Sequence, residues 1–443
     1  MNNMNNNPGK EGLNKPEYDI LVIGGGIAGQ EASLNLANNG FKILLVEKDL
    51  SIGGKMIQLS KVFPTLDCAA CIATPKISET ARHPNITIKT NTEVKDIEKT
   101  GTVFKSRVIE KPRYVKADLC TGCQDCEKKC PVVVDDQYNY GLAGRKAAFV
   151  PFDLANPRIA AIDIENCTLC GACERACPAD AIDFTQEDKE FDLSTKSVIV
   201  ATGFELFPPE QKKEYGFGTY KNVIHSMQMD RLLAPTRPFN NVLRPLDGRM
   251  PDNIAYVLCT GSRDHSLNNP LCSQICCMYS IKQAQLLMGA LPMADVTIYY
   301  IDIRAFGKGF EEFYEQGKGM GVEFVKGKIA KIEEKENGNL ILKYEDIENG
   351  GNPAEAEHDL VVLAVGALPN PDVTSLFKSK GLELDEHRYV KQPDELLSPA
   401  KTSIEGVFVA GTASGPMDIP DSILSAGAAS SEAAAYIRRL KEL

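Results

Sequence analysis

Two copies of one cysteine spacing constrain this chain more than any other feature. Cys120, Cys123, Cys126 and Cys130 precede Pro131, and Cys167, Cys170, Cys173 and Cys177 precede Pro178. Each run reads C-x2-C-x2-C-x3-C-P, the bacterial ferredoxin spacing that wraps thiolates round a pair of [4Fe-4S] clusters. In such pairs the fourth cysteine of each run ligates the other cluster. Cys120, Cys123, Cys126 and Cys177 are therefore expected round one cluster, with Cys167, Cys170, Cys173 and Cys130 round the other. Zinc ribbons use two separated ligand pairs, not four cysteines with a trailing proline.

The rest of the chain must house such a module. At 443 residues it has room for roughly two to four domains. Its net charge of -11 argues against a nucleic-acid surface, which needs a basic patch. No apolar run approaches the roughly 20 residues that cross a bilayer. The Asn-rich start lacks the apolar core of a secretory signal and reads as a polar tail over 1–18. Fourteen cysteines in such a chain imply a reducing cytoplasm and metal or redox roles.

After the tail, DILVI (Asp19 to Ile23) runs into Gly24-Gly25-Gly26-Ile27-Ala28-Gly29, then a helical stretch from Gln30 to Asn39. A second apolar strand, Lys42 to Val46, ends at Glu47. This is the dinucleotide-binding order of strand, G-x-G-x-x-G, helix, strand and acid. Gly24 serves the tight turn, Gly26 the close approach of a pyrophosphate, and Gly29 the packing of helix on strand. Glu47 is placed to accept from ribose hydroxyls. Gly54, in the following Gly53-Gly54 loop, fits the same cofactor. SVIVATGF (Ser197 to Phe204) and EGVFVAG (Glu405 to Gly411) read as returning strands, putting Ala201, Thr202, Gly203, Gly411 and Thr412 at the site. These segments favour FAD over NAD. Flavoproteins of this kind end the last strand in Gly-Asp, the acid holding the ribitol. Here the pair is Gly411-Thr412, so Thr412 or Asp418 is the candidate for that contact.

A second dinucleotide unit is expected between the halves of the first. Its first strand, NIAYVL (Asn253 to Leu258), ends in Cys259-Thr260-Gly261, with one glycine in the turn. The scaffold is retained and the pyrophosphate cradle is missing, so direct hydride uptake from NAD(P)H is not expected. More sulfur follows: Cys272, Cys276 and Cys277, in a stretch read as helical with 272 and 276 on one face. With Cys259 these are candidate ligands for a third [4Fe-4S] cluster, or small buried hydrophobes. Cys68 and Cys71 remain, a C-x-x-C that reads as a redox-active dithiol, as metal ligands or as a buried structural pair.

Taken together, the chain resembles the A-type subunit of heterodisulfide reductase. The resemblance rests on FPTLDCAACIATPK (Phe63 to Lys76), CTGSRD (Cys259 to Asp264), CSQICCMYSIK (Cys272 to Lys282), DIRAFGKGFEEFY (Asp302 to Tyr314) and GTASGPMDIPDSILSAGAA (Gly411 to Ala429). It implies an α/β, two-dinucleotide-domain flavoprotein core like thioredoxin reductase, with an inserted α+β bacterial-type 2[4Fe-4S] ferredoxin module. It further implies a cluster on Cys259, Cys272, Cys276 and Cys277, and a lysine beside the flavin, Lys282. The implied partners are heterodisulfide reductase B- and C-type subunits, a hydrogenase, formate dehydrogenase or NADH-linked donor subunit, and ferredoxin. The longest family members add an N-terminal domain and a C-terminal ferredoxin module that this sequence does not show. Some electron exits are therefore expected on other subunits, and flavin-based bifurcation is less secure.

The expected order is tail 1–18, FAD-binding segments 19–115, 186–245 and 396–443, ferredoxin module 116–185 and degenerate NAD(P)-type domain 246–395. Pro235 to Pro251 reads as the interdomain linker, and ENGNL (336–340) and ENGGN (348–352) as hairpin turns.

Overall fold

The computed structural model describes residues 17–378 and 381–442. Apart from Glu17 and Tyr18, the expected tail lies outside the described residues. The chain opens with β1 (Ile20–Ile23), α1 (Ile27–Asn38), β2 (Ile43–Val46), α2 (Ala69–Arg82), β3 (Ile86–Lys89) and the hairpin β4 (Thr92–Thr100) and β5 (Val103–Glu110). A compact insert follows: α3 (Asp125–Lys129), β6 (Val133–Asp135), β7 (Gly144–Lys146), β8 (Ala148–Phe149), β9 (Ala161–Ile162) and α4 (Ala172–Ala176). β10 (Lys189–Thr195) and β11 (Ser197–Val200) return to the first unit.

β21-β11-β1-β2-β3 form one sheet, β21 being Val407–Val409, and every pairing in it is parallel. Its strands are unbroken apolar runs because both faces are covered. Ile20 and Val22 point into a core shared with α1, α2 and α8 (Ile419–Glu442). Leu21 and Ile23 point the other way, onto Phe104 and Val108 of the antiparallel sheet β10-β5-β4.

The second unit comprises β12 (Phe204–Leu206), β13 (Val223–His225), α5 (Ser226–Leu233), β14 (Asn253–Thr260), α6 (Cys276–Ala290), β15 (Asp295–Tyr300) and α7 (Phe310–Gly319). It continues with β16 (Glu323–Glu334), β17 (Leu340–Asp346), β18 (Asn352–His358), β19 (Leu360–Val365) and β20 (Ala367–Pro369). Its sheet has the order β13-β19-β14-β15-β16-β17-β18. β16, β17 and β18 are an antiparallel meander turning where ENGNL and ENGGN stand.

The boundaries differ from the expectation at 246 and 396. β13 pairs with β19 and therefore belongs to the second sheet. The two crossings between units run side by side as the antiparallel pair β12 and β20. Past β20, Val373, Leu376 and Phe377 already pack with Leu21 in the first unit. Pro235 to Pro251 is no interdomain linker. Val242 is buried in the second core, and Arg244 forms an ion pair with Asp359 at 3.4 Å.

α1 can lie close on the turn after β1 only because residue 29 has no side chain: a Cβ there would stand 1.9 Å from the Gly24 carbonyl oxygen. Gly29→Ala is expected to destabilise the fold by about 1–3 kcal/mol or more through overpacking. Urea unfolding checks this, and an unchanged midpoint would contradict the packing described.

Candidate functional site

A cavity of about 1230 Å³ runs past the carboxyl ends of the first sheet's strands to the second unit. Open α/β sheets bind nucleotides at this edge. At one end lie Gly24, Gly26, Glu47 and Gly54. Gly24 has φ +106°, and a Cβ there would meet the Ala201 carbonyl oxygen at 2.3 Å. Gly26 faces open space and caps α1, whose free N–H groups offer a phosphate site. Ala201, Thr202, Gly203, Thr412 and Asp418 continue the wall. The Thr202 hydroxyl is buried with no partner, an acceptor or donor left for a ligand. Gly411 and Gly29 do not line the cavity. Gly411 instead brings its backbone against Ala28.

Glu47 accepts from the Gly25 N–H at 2.6 Å and the Asp49 N–H at 2.9 Å. Burial, then the charge of Asp49, pushes its carboxyl up to about 7. The open glycine turn, helix N-terminus and buried acid together fit a dinucleotide such as FAD.

The corresponding turn of the second unit is filled. Gly261 has φ +74°, and a Cβ there would lie 2.1 Å from the Phe207 ring. Phe207 is buried against β14 and β19. The ring occupies ground that a pyrophosphate would need.

At the cavity's inner end stands Lys282, on α6. It is 1 % exposed, not a surface lysine, and its Nζ lies 2.6 Å from Oδ1 of Asp230, itself 2 % exposed. Asp230 also accepts from the Ser60 N–H and hydroxyl and, at 2.7 Å, from Gln283 Nε2. Both carboxylate oxygens are thereby satisfied, as a buried charge requires. The ion pair lies within the second unit, and the Ser60 bonds to Asp230 tie it to the first. Sequence reasoning missed Asp230. The signal was an acid on the apolar face of α5, among Met227, Met229 and Leu232.

In the insert the two cysteine runs are structural copies. Gly122 and Gln124 flank Cys123 with φ of 66° and 67°, and Leu169 and Gly171 flank Cys170 with φ of 53° and 68°. α3 and α4 follow, placing Cys126 and Cys173 inside. Backbone N–H groups of Ala160, Leu169 and Ala181 donate to the sulfurs of Cys120, Cys167 and Cys177. Such N–H donors suit thiolate ligands. Burial raises the Cys126 thiol to about 12, with Cys120, Cys123 and Cys173 adding to the effect. The Cys173 thiol is raised by burial, and then by neighbours that include Cys130 as well as Cys167. Among the described residues no group of three His, Cys, Asp or Glu side chains closes to the geometry of a single bound ion.

Cys259, Cys272, Cys276 and Cys277 do converge, but Cys272 is not on the helix. Gln274 at φ 60° breaks the chain, and α6 begins at Cys276. Cys272 accepts from the Gln274 N–H at 3.3 Å. Burial pushes Cys277 up to about 12, and its neighbours Cys259 and Cys272 contribute. Cys276 is raised further by burial, then by Cys259, Cys277 and Cys272. The donor set is all sulfur from one strand end, one loop and one helix end, which fits an iron–sulfur cluster.

Cys68 caps α2 and its sulfur accepts from the Cys71 N–H at 3.3 Å. Cys71 is exposed, so the pair is not a buried structural one. Neither lines the cavity, though Ile72 and Lys61 beside them do.

Three family models match the chain: a 4Fe-4S dicluster domain over residues 119–182, an FAD dependent oxidoreductase over 19–67, and a pyridine nucleotide-disulphide oxidoreductase over 289–433. Thioredoxin reductases of T. acidophilum (TM-score 0.54, 15% identity, 96% of this chain and 99% of that one) and Lactococcus lactis (0.53, 16%, 96% and 100%) share the fold. The fold is therefore that of thioredoxin reductase with a dicluster insert. Similar in sequence is the A-type iron-sulfur subunit of the CoB–CoM heterodisulfide reductase of Methanocaldococcus jannaschii, 43% identical over 94% of this chain and 64% of that protein. An A-type subunit of the same reductase from Methanopyrus kandleri is 44% identical over 94% of this chain and 64% of its own length. That of the ferredoxin:CoB-CoM heterodisulfide reductase of Methanosarcina mazei is 41% identical over 94% of this chain and 53% of its own length. The chain thus spans between about half and two thirds of these relatives. No helix among the described residues is long and apolar enough to cross a membrane.

Two outcomes follow from the cavity. Lys282→Met or Asp230→Asn alone is expected to cost about 3–5 kcal/mol in urea unfolding, because a lone charge stays buried; the double variant costs less than either. For Glu47, a folded value near 7 means that the protonated form is favoured by folding. Its stabilisation of the apoprotein is complete at acid pH and is lost as pH rises through about 7. A ribose hydroxyl donating to the carboxylate reverses that preference. FAD is expected to leave as pH falls through about 7, with Glu47→Gln removing the step, read from flavin released through a filter.

Proposed function

From a chain related over nearly its whole length to the A-type subunits of heterodisulfide reductases, we propose a flavin-centred electron-transfer subunit of a heterodisulfide reductase-type complex. Electrons enter from a hydrogenase, formate dehydrogenase or NADH-linked partner and leave toward B- and C-type disulfide-reducing subunits or ferredoxin. One observation carries this reading. The cavity is walled by the first unit, by the cluster insert through Tyr138 and Phe152, and by Lys282 and Tyr279 of a unit whose own nucleotide turn is filled.

FAD would supply two-electron chemistry and each cluster one-electron chemistry, so a chain that holds both can pass between the two. The residues have separate tasks. Glu47 holds the ribose end, and α1 presents its N-terminus to the phosphates. Lys282 sets a cation at the inner end, offset by Asp230. Cys120, Cys123, Cys126 and Cys177, and Cys167, Cys170, Cys173 and Cys130, hold the two insert clusters. Cys259, Cys272, Cys276 and Cys277 would hold a third, the last two on the helix that also carries Lys282. Cys68 and Cys71 act as an exposed redox-active dithiol beside the cavity-lining Lys61 and Ile72. Splitting of an electron pair between acceptors of different potential belongs to the assembled complex, in the cytoplasm.

Anaerobically purified protein is expected to hold one FAD and about twelve iron atoms, as three [4Fe-4S] clusters. On rapid mixing with NADH or NADPH its flavin keeps its colour, and bleaches only when a donor partner is added. Rapid bleaching by either nucleotide alone would favour a self-contained reductase. An unchanging flavin during turnover of the whole complex would favour a wiring subunit.

A further inference from the structure

The largest fully buried side chain of the described residues is not apolar: it is Arg231, 0 % exposed, next to Asp230 on α5. Its guanidinium has a rigid fork of five N–H donors. Nε donates to Asn139 Oδ1 at 2.9 Å, Nη1 to the Gln58 carbonyl at 3.1 Å, and Nη2 to the Thr236 carbonyl at 2.6 Å and its hydroxyl at 3.1 Å. The guanidinium carbon lies 4.5 Å from the Tyr138 ring centre. These acceptors come from three separate places: the cluster insert, the glycine-loop side of the first unit, and the second unit.

All of the acceptors are neutral. A buried cation held this way gains less from charge than from direction, since each N–H fixes one chain segment. What it fixes on the insert is informative. Asn139 and Tyr138 lie between the two cysteine runs, and Tyr138 stacks on Phe152 with ring centres 4.6 Å apart. Both rings line the flavin cavity. Around them Tyr138 donates to the Ile57 carbonyl, Tyr140 to Gln58 Oε1, and Gln228 to the Tyr140 carbonyl. The segment joining one cluster's ligands to the other's is therefore also a wall of the cavity, and Arg231 is the bolt through it.

We propose that Arg231 is a positioning residue that sets the spacing between the flavin and the clusters of the insert. The inference rests on the proposed function, because it presumes flavin in the cavity and iron on the cysteine runs. Electron transfer falls steeply with separation, so a loosened insert slows transfer without altering either cofactor.

The test uses the anaerobic holoprotein. Flavin and iron are counted, midpoints are titrated, and flavin-to-cluster transfer is timed after a light pulse that reduces the flavin at the expense of an added sacrificial amine donor. Arg231→Lys keeps the charge and loses the fork. It is expected to hold both cofactors at wild-type midpoints and to transfer several-fold more slowly. Asn139→Ala removes only the insert's acceptor and is expected to slow transfer less. The double variant is no slower than Arg231→Lys, because both changes break one connection. Wild-type rates in Arg231→Lys or in Asn139→Ala overturn the inference. So does additive slowing in the double, and so does slowing that tracks loss of flavin or iron, which would make Arg231 a structural prop only. A wild-type protein without flavin-to-cluster transfer sinks the proposed function instead. Should Arg231→Lys not fold, Asn139→Ala alone decides by the same readings.

Discussion

Two neighbouring charges on one short helix hold the three parts of this protein against a common cavity. Asp230 and Arg231 follow each other on α5, so their side chains leave the helix in different directions. Asp230 turns to Lys282, Gln283 and Ser60, and Arg231 to Asn139, Gln58 and Thr236. Each charge is out of water and tolerable because it is hydrogen-bonded, and part of each set of partners lies across a boundary: Ser60 for Asp230, Asn139 and Gln58 for Arg231. Apolar packing alone would let the insert and the second unit slide. Directional bonds to buried charges do not. The seating of the insert against the cavity and the placement of Lys282 both involve that one helix.

The same arrangement explains how a nucleotide-reductase scaffold can be put to other use. The first unit keeps an open turn at Gly26 and a buried acid at Glu47. The second keeps the sheet but seats Phe207 where its own turn would need space. Sulfur stands near that turn instead: Cys259 at the end of β14, Cys272 in the loop before α6, and Cys276 and Cys277 at its start. A unit that elsewhere presents a hydride donor here presents thiols and a lysine.

What the sequence made legible was whatever depends on spacing within a short stretch. The cysteine runs, the glycine turn with Glu47, the buried parallel strands and the ENG hairpins are all local patterns. The filled turn at Gly261 was half legible, since one glycine pointed to a lost cradle but gave no hint of Phe207. Contacts between distant segments were invisible. β13 is three residues long, too short for a periodic signal, so the second unit begins well before its expected start. Cys272 reads as helical until Gln274 takes a left-handed conformation and starts α6 later. Asp230 and Arg231 stand among Met227, Met229 and Leu232, which hints at burial, but only the fold shows which distant groups partner them.

A structure of the anaerobically isolated holoprotein tests the central claim most directly. The account predicts FAD along the cavity, its nucleotide end at Gly26 and Glu47 and its ring end between Lys282 and Tyr138, with iron–sulfur density on both insert runs and on Cys259, Cys272, Cys276 and Cys277. A pyridine nucleotide seated at Gly261 with Phe207 displaced, or a flavin ring turned away from the insert, would contradict it.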